Sequence, residues 1–102
     1  MHPLIEIQRE GIARLCRQYG VDRLDAFGSV LREDFDAEHS DIDLLVQFKP
    51  EAAADFGHFL DLKQALECLF QRPVGLLEPH TIRNRRLRHH IDHGKALVYD
   101  AA

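Results

Sequence analysis

The stretch from Phe27 to Val46 constrains this chain more than any other. It opens with Gly28-Ser29 behind an apolar segment, passes through a polar run rich in acids, and closes with Ser40-Asp41-Ile42-Asp43 running into Leu44-Leu45-Val46. The closing part reads as a strand over 41–48, because apolar and β-branched residues continue without a breaker until Lys49-Pro50. Side chains on a strand alternate between faces, so Asp41 and Asp43 share one face. Two neighbouring carboxylates repel unless a cation lies between them. Mg²⁺, which favours carboxylate together with phosphate oxygen, is the simplest cation to propose.

The Gly-Ser pair supplies complementary chemistry. Gly28 permits a tight turn and close approach of a ligand. Ser29 suits the N-cap of a short helix over 30–33, and free N–H groups at a helix start attract phosphate. A phosphate cradle beside a metal-binding carboxylate pair suits transfer of a phosphoryl or nucleotidyl group.

Elsewhere the pattern alternates helices with strands. A helix is expected over 3–19, with Pro3 in its first turn, Ile5, Ile12, Leu15, Cys16 and Tyr19 at helical spacing, and Gly20 as its stop. A strand over 21–27 leads into the Gly-Ser turn, and Asp34 to Ser40 is a loop. A polar, Ala-rich connection over 51–55 precedes a helix near 55–71, striped by Phe56, Phe59, Leu62, Leu66, Leu69 and Phe70. Val74 to Leu77 is a short strand. Thr81 is the expected N-cap of a last helix ended by Gly94, and 95–99 a last strand. One domain spans 1–102, and its natural architecture is an α+β fold, a sheet with helices packed on it.

The formal net charge of −4 makes nucleic acid an unexpected partner. No window approaches the roughly 20 apolar residues of a membrane span, and the N-terminus lacks a signal-peptide pattern. Cys16 and Cys68 both sit among apolar neighbours in helical patterns and are expected to be buried free thiols, which favours a reducing, cytoplasmic setting. The run Arg83-Asn84-Arg85-Arg86-Leu87-Arg88-His89-His90 reads as a solvated helix face with Leu87 and Ile91 turned to the core, or as a basic surface for RNA or an acidic partner. His89 and His93 lie one helical turn apart without a third convergent ligand, and His2, His39, His58 and His80 are scattered.

Gly-Ser, eleven residues, then Asp-x-Asp on an apolar strand resembles the signature of the DNA polymerase β nucleotidyltransferase superfamily. The flanks Leu24-Asp25-Ala26-Phe27 and Val30-Leu31-Arg32, with Arg72-Pro73-Val74-Gly75-Leu76-Leu77-Glu78-Pro79 and the ending Ala96-Leu97-Val98-Tyr99, are similar to its minimal nucleotidyltransferase (MNT) group. The resemblance covers nearly the whole chain. It implies a palm-like, mixed four-stranded sheet and a nucleotidyl transfer in which Asp41 and Asp43 hold Mg²⁺, two ions in a fully active site, on the phosphates of ATP. Backbone N–H groups near Gly28 and Ser29 would hold the β- and γ-phosphates, Ser40 would orient the first carboxylate, and Arg32 is either a bidentate phosphate contact or a solvated arginine. It further implies a hydroxyl acceptor on a protein, in the best-understood branch a tyrosine of a helical HEPN-domain ribonuclease to which the MNT domain is the antitoxin. Self-association stays open.

One departure stands out. The family's third carboxylate, in a Val-Asp-Leu setting, is here Val74-Gly75-Leu76. Glu78, of opposite strand parity to residue 75, and Asp36 on the loop are the nearest substitutes. Two carboxylates can still hold nucleotide-bound Mg²⁺. The alternative is therefore a catalytically impaired chain of the same fold that neutralises a partner by contact.

Overall fold

In a computed structural model, residues 3–31 and 41–101 are described, with Ser29 represented by its main chain. The order is α1 (Pro3–Ile7), α2 (Arg9–Tyr19), β1 (Val21–Phe27), a 3₁₀ turn (Gly28–Leu31), β2 (Ile42–Phe48), a 3₁₀ turn (Pro50–Ala52), α3 (Phe56–Phe70), β3 (Val74–Leu77), a 3₁₀ turn (Pro79–Thr81), α4 (Arg85–Gly94) and β4 (Ala96–Asp100). The expected first helix is thus two helices separated at Gln8. The turn after β1 begins at Gly28 itself, and the expected short helix's Arg32, with the loop 34–40, lies outside the described residues.

The strands form one mixed sheet in the order β3-β2-β1-β4, as the resemblance implies. β1 runs antiparallel to β2 and β4, while β2 and β3 are parallel. Parallel neighbours need a crossover, which α3 supplies.

Alternation along the strands divides the sheet into two faces. On one, Leu24 and Ala26 of β1, Ile42, Leu44 and Val46 of β2, and Leu76 of β3 join Ile12 and Cys16 of α2 and Leu62, Leu66 and Phe70 of α3 in the main core. A register shift between Val21 and Arg23 returns Val21 to that core as well. On the other face a small cluster of Leu45, Ile82 and Ile91, with Phe27 and Leu77 against it, sits under α4. This division aims Asp43 away from the main core.

Local chemistry accounts for the helix ends. Gly20, at φ 70°, ends α2 and donates its N–H to the Cys16 carbonyl. The Asp55 carboxylate caps α3 by accepting from His58 N–H at 2.8 Å. α4 starts later than the sequence suggests. Asn84, not Thr81, is its cap and accepts from Leu87 N–H at 3.1 Å. Thr81 closes the preceding turn, its hydroxyl donating to the Glu78 carbonyl at 2.7 Å. A 3₁₀ turn that begins at Pro79 uses Thr81 before a helix can start there.

Two burial expectations are corrected. Cys16 is buried but Cys68 is exposed, because the inward stripe of α3 is Leu62, Leu66 and Phe70 and Cys68 falls off it. Ile91 is buried but Leu87 is 44% exposed, because the thin cluster under α4 takes only one of its apolar side chains. Among the described residues no helix is long and apolar enough to cross a membrane.

Candidate active site

The second face of the sheet is read most easily in rows. Phe27, Asp43 and Gly75 are partners across β1, β2 and β3. The next row is Asp25, Leu45 and Leu77. Phe27 hands the chain directly to Gly28, so the turn lies against Asp43.

Two glycines flank the Asp43 carboxylate. A Cβ on Gly28 would lie 2.7 Å from its Oδ2, and a Cβ on Gly75 would lie 2.6 Å from its Oδ1. Either distance is too short for a real Cβ unless the end of the Asp43 side chain turns aside, so the carboxylate occupies the space a Cβ at 28 or 75 would take. Gly28 is required twice over, since its φ of 74° is left-handed backbone that L side chains resist. Asp43 is half-buried in this slot, whereas Asp41, immediately before β2 and of the same parity, is exposed. The turn thus meets Asp43. Ser40 and Arg32 lie outside the described residues, as does the Ser29 side chain.

Glu78 does not join this group. β3 runs parallel to β2, so three residues beyond Gly75 carry Glu78 roughly 10 Å along the strand. It lines a different cleft of about 520 Å³, with Gln47, Lys49, His80 and Arg88 among its neighbours, and its carboxylate is 3.6 Å from His80 Nε2. Among the described residues, no group of three or more histidine, cysteine or acidic side chains is placed to hold a metal. Among the described residues the candidate donors on this side are the two hard carboxylates of Asp41 and Asp43. That is too few for an all-protein cage but fits Mg²⁺, which is commonly held by one or two carboxylates plus substrate phosphates.

Two of the described histidines, His58 and His93, bond main-chain carbonyls. His58 Nε2 donates to the Tyr19 carbonyl at 2.6 Å, and its ring packs edge-on to Tyr19 and Phe48. His93 Nδ1 donates to the His89 carbonyl at 2.9 Å.

Two features of this face were not anticipated. Asp25 is fully buried one row below Asp43, where Arg23 Nε donates to it at 3.0 Å and Nη2 at 3.2 Å. The signal was present as Arg23-x-Asp25 at strand spacing; the guanidinium commits this acid to an ion pair. The second feature is a cavity of about 200 Å³ beside the turn, lined by Phe27, Gly28, Leu31, His90 and Gly94. The C-terminal end of α4 makes its far wall, some 60 residues later in the chain, so no local pattern could reveal it.

Residues 10–102 match the family model described as polymerase beta, nucleotidyltransferase. The chain is 31% identical over 94 residues to a Methanocaldococcus jannaschii protein provisionally named a protein adenylyltransferase, MJ1379, covering 92% of this chain and 91% of that one. A solved structure of a provisionally assigned minimal nucleotidyltransferase superposes with a TM-score of 0.76 at 31% identity, over 94% of this chain and 95% of that one. The MNT antitoxin bound to a tri-AMPylated HEPN toxin of Shewanella oneidensis shares the fold, with a TM-score of 0.68 at 18% identity, over 95% of this chain and 73% of that one.

Proposed function

The chain belongs to the polymerase beta nucleotidyltransferase family, and from that premise we propose that it transfers a nucleotide, AMP from ATP, to a hydroxyl of a partner protein. The observation that carries this reading is the Asp43 carboxylate lodged between Gly28 and Gly75, in the strand row that meets the Gly28 turn.

Each residue has a distinct task. Asp41 and Asp43 would hold Mg²⁺ together with the triphosphate, and the metal would supply neutralisation of charge on the phosphate oxygens. Gly28 brings the main chain of the turn close enough for its N–H groups to meet phosphate. The resemblance assigns Arg32 to the phosphates and Ser40 to orienting Asp41, and both are carried here as part of the proposal. The acceptor oxygen bonds the α-phosphorus, the bond to the β-phosphate oxygen breaks, pyrophosphate leaves with that electron pair, and the hydroxyl proton is lost to water.

The partner we propose is a helical HEPN-type protein, which makes this chain the antitoxin of a toxin–antitoxin pair. A protein adenylyltransferase name on a relative at 31% identity supports the protein acceptor. The fold shared with the antitoxin of a HEPN complex is consistent with the pairing. Gly75 favours a second reading, in which the chain binds nucleotide and neutralises the partner by contact alone.

Transfer of label from α-labelled ATP into lysate proteins, with Mg²⁺ or Mn²⁺, tests the first reading against the Asp41→Asn, Asp43→Asn double variant. A labelled band absent from the variant supports transfer. Absence of label with Mg²⁺–ATP binding intact by calorimetry supports the contact reading, and absence of both removes the nucleotide site.

A further inference from the structure

The two edges of the sheet are finished differently. On β4 the register to β1 slips, with Leu24 opposite Tyr99 but Asp25 opposite Leu97, which leaves Val98 as an extra residue. Arg9 Nη1 donates to the Val98 carbonyl at 3.1 Å, and the same guanidinium is held by Glu6 at 2.7 Å. A bulge and a side chain on a main-chain acceptor are both devices that discourage strand addition.

β3 lacks that protection along most of its length. Ile42 N–H donates to the Pro73 carbonyl at 3.3 Å, so in this parallel ladder the main-chain groups of Pro73, Gly75 and Leu77 turn toward β2. Those of Val74 and Leu76 turn outward. Glu67 accepts the Val74 N–H at 3.0 Å, capping the start of the edge. By the same alternation the Val74 carbonyl and both main-chain groups of Leu76 are directed outward, while Leu76, 5% exposed as a whole, belongs to the main core with the α3 residues. Among the described residues no strand pairs with this side of β3.

We propose that the outer edge of β3 docks an extended segment of the acceptor protein as an added strand, whose hydroxyl-bearing side chain passes over Gly75 to the Asp43 carboxylate. This deepens the nucleotidyltransferase reading and rests on it. A residue opposite Gly75 on an added strand shares its face, and hence that of Asp43. It stands two strand spacings from Asp43, roughly 10 Å. Gly75 puts no side chain of its own on the path between them. Among the described residues, the atoms within 4 Å of a Cβ built there are Asp43 Oδ1 at 2.6 Å and Asp43 Cγ at 3.8 Å. Across that gap a side chain as long as tyrosine delivers its hydroxyl, whereas serine stops short. Main-chain pairing supplies affinity in such complexes, and side chains alternating along the added strand supply selectivity.

The test extends the whole chain after Ala102 with a flexible Gly/Ser linker of about 20 residues, whose average span is roughly 25 Å, ending in the segment Val-Thr-Tyr-Thr-Val. Tethering sets the effective concentration near millimolar. Amide hydrogen exchange is read at Leu76, with Gly75 and Leu77 as references already protected by the ladder, and label from α-labelled ATP is read on the segment. The expected result is at least tenfold slower exchange at Leu76 than in the untethered chain, with label on the tyrosine and at least tenfold less when serine replaces it. Label with unchanged Leu76 exchange overturns edge docking while leaving transfer intact. Slowed exchange without label overturns the acceptor role, and calorimetry with Mg²⁺–ATP on the same sample then shows whether the nucleotide site has failed with it. Unchanged exchange without label overturns the proposal.

Discussion

The two faces of the sheet come from the same strands and have opposite uses. Toward α2 and α3, alternate residues are Leu24, Ala26, Ile42, Leu44, Val46 and Leu76, all buried in one continuous core. Toward α4, the intervening residues include Arg23, Asp25, Asp43, Gln47 and Gly75, with only Leu45 fully covered among β2's residues there. A single helix with one buried apolar side chain, Ile91, cannot seal that face. Stability and chemistry are thus separated by strand parity, and each can be perturbed without the other.

The separation is most easily broken from the core side. Leu66→Ala removes a fully buried side chain where α3 meets the sheet, and should cost about 3 kcal/mol in chemical denaturation. Nucleotide affinity measured under folding conditions should stay unchanged. Asp43→Asn is the converse: transfer should fall by about a hundredfold or more, while the denaturation midpoint moves little. A matching loss of stability would mean that Asp43 belongs to the core after all.

Gly75→Asp sharpens the comparison within the second face. Its Cβ would meet only the end of the Asp43 side chain, which can turn aside. If the chain is an enzyme short of one acid, label transfer should rise by about tenfold; a fall would show that the acceptor needs the space over residue 75, and background transfer with partner binding intact would show action by contact alone. Asn84→Ala removes the α4 cap and should cost about 1 kcal/mol, with the cavity beside Gly28 loosened at its α4 wall.

The smallest effect is electrostatic. The Val74 N–H, then Lys63, hold the Glu67 carboxyl below its ordinary value of 4.5. A lowered folded-state value means the carboxylate stabilises the fold above pH 4.5 and loses that contribution as pH falls below it. The difference in denaturation midpoint between the native chain and Glu67→Gln should therefore shrink on acidification from pH 5 to pH 3, a window set by that value. The cysteines offer an independent check on burial. Burial pushes the Cys16 thiol up to about 12, so a thiol reagent at neutral pH should modify Cys68 in the folded chain and Cys16 only after unfolding.

Much of this was decided locally and could be read from the chain. Strand alternation alone sends Asp43 and Leu44 to opposite faces, and Gly28 behind an apolar strand announces a tight turn. Glycine, proline and capping residues act within a few positions, so the order of strands and main helices followed from sequence, although the first helix is two and boundaries moved. The mixed sheet and its nucleotidyltransferase character were legible from the Gly-Ser and Asp-x-Asp spacing, through resemblance.

Other features depended on which strand lies beside which, and at what register. Parity argued against Glu78 as a substitute for the missing acid, but only the parallel β2–β3 register carried it to another cleft. The same register set Gly75 against Asp43, and the β1–β2 register set Gly28 on the other side. Burial of Cys16 but not Cys68, the turn that withheld Thr81 from α4, and the placement of His90 near Gly28 likewise needed neighbours distant in sequence. Periodicity specifies which face a side chain takes. Only long-range packing specifies what it meets there.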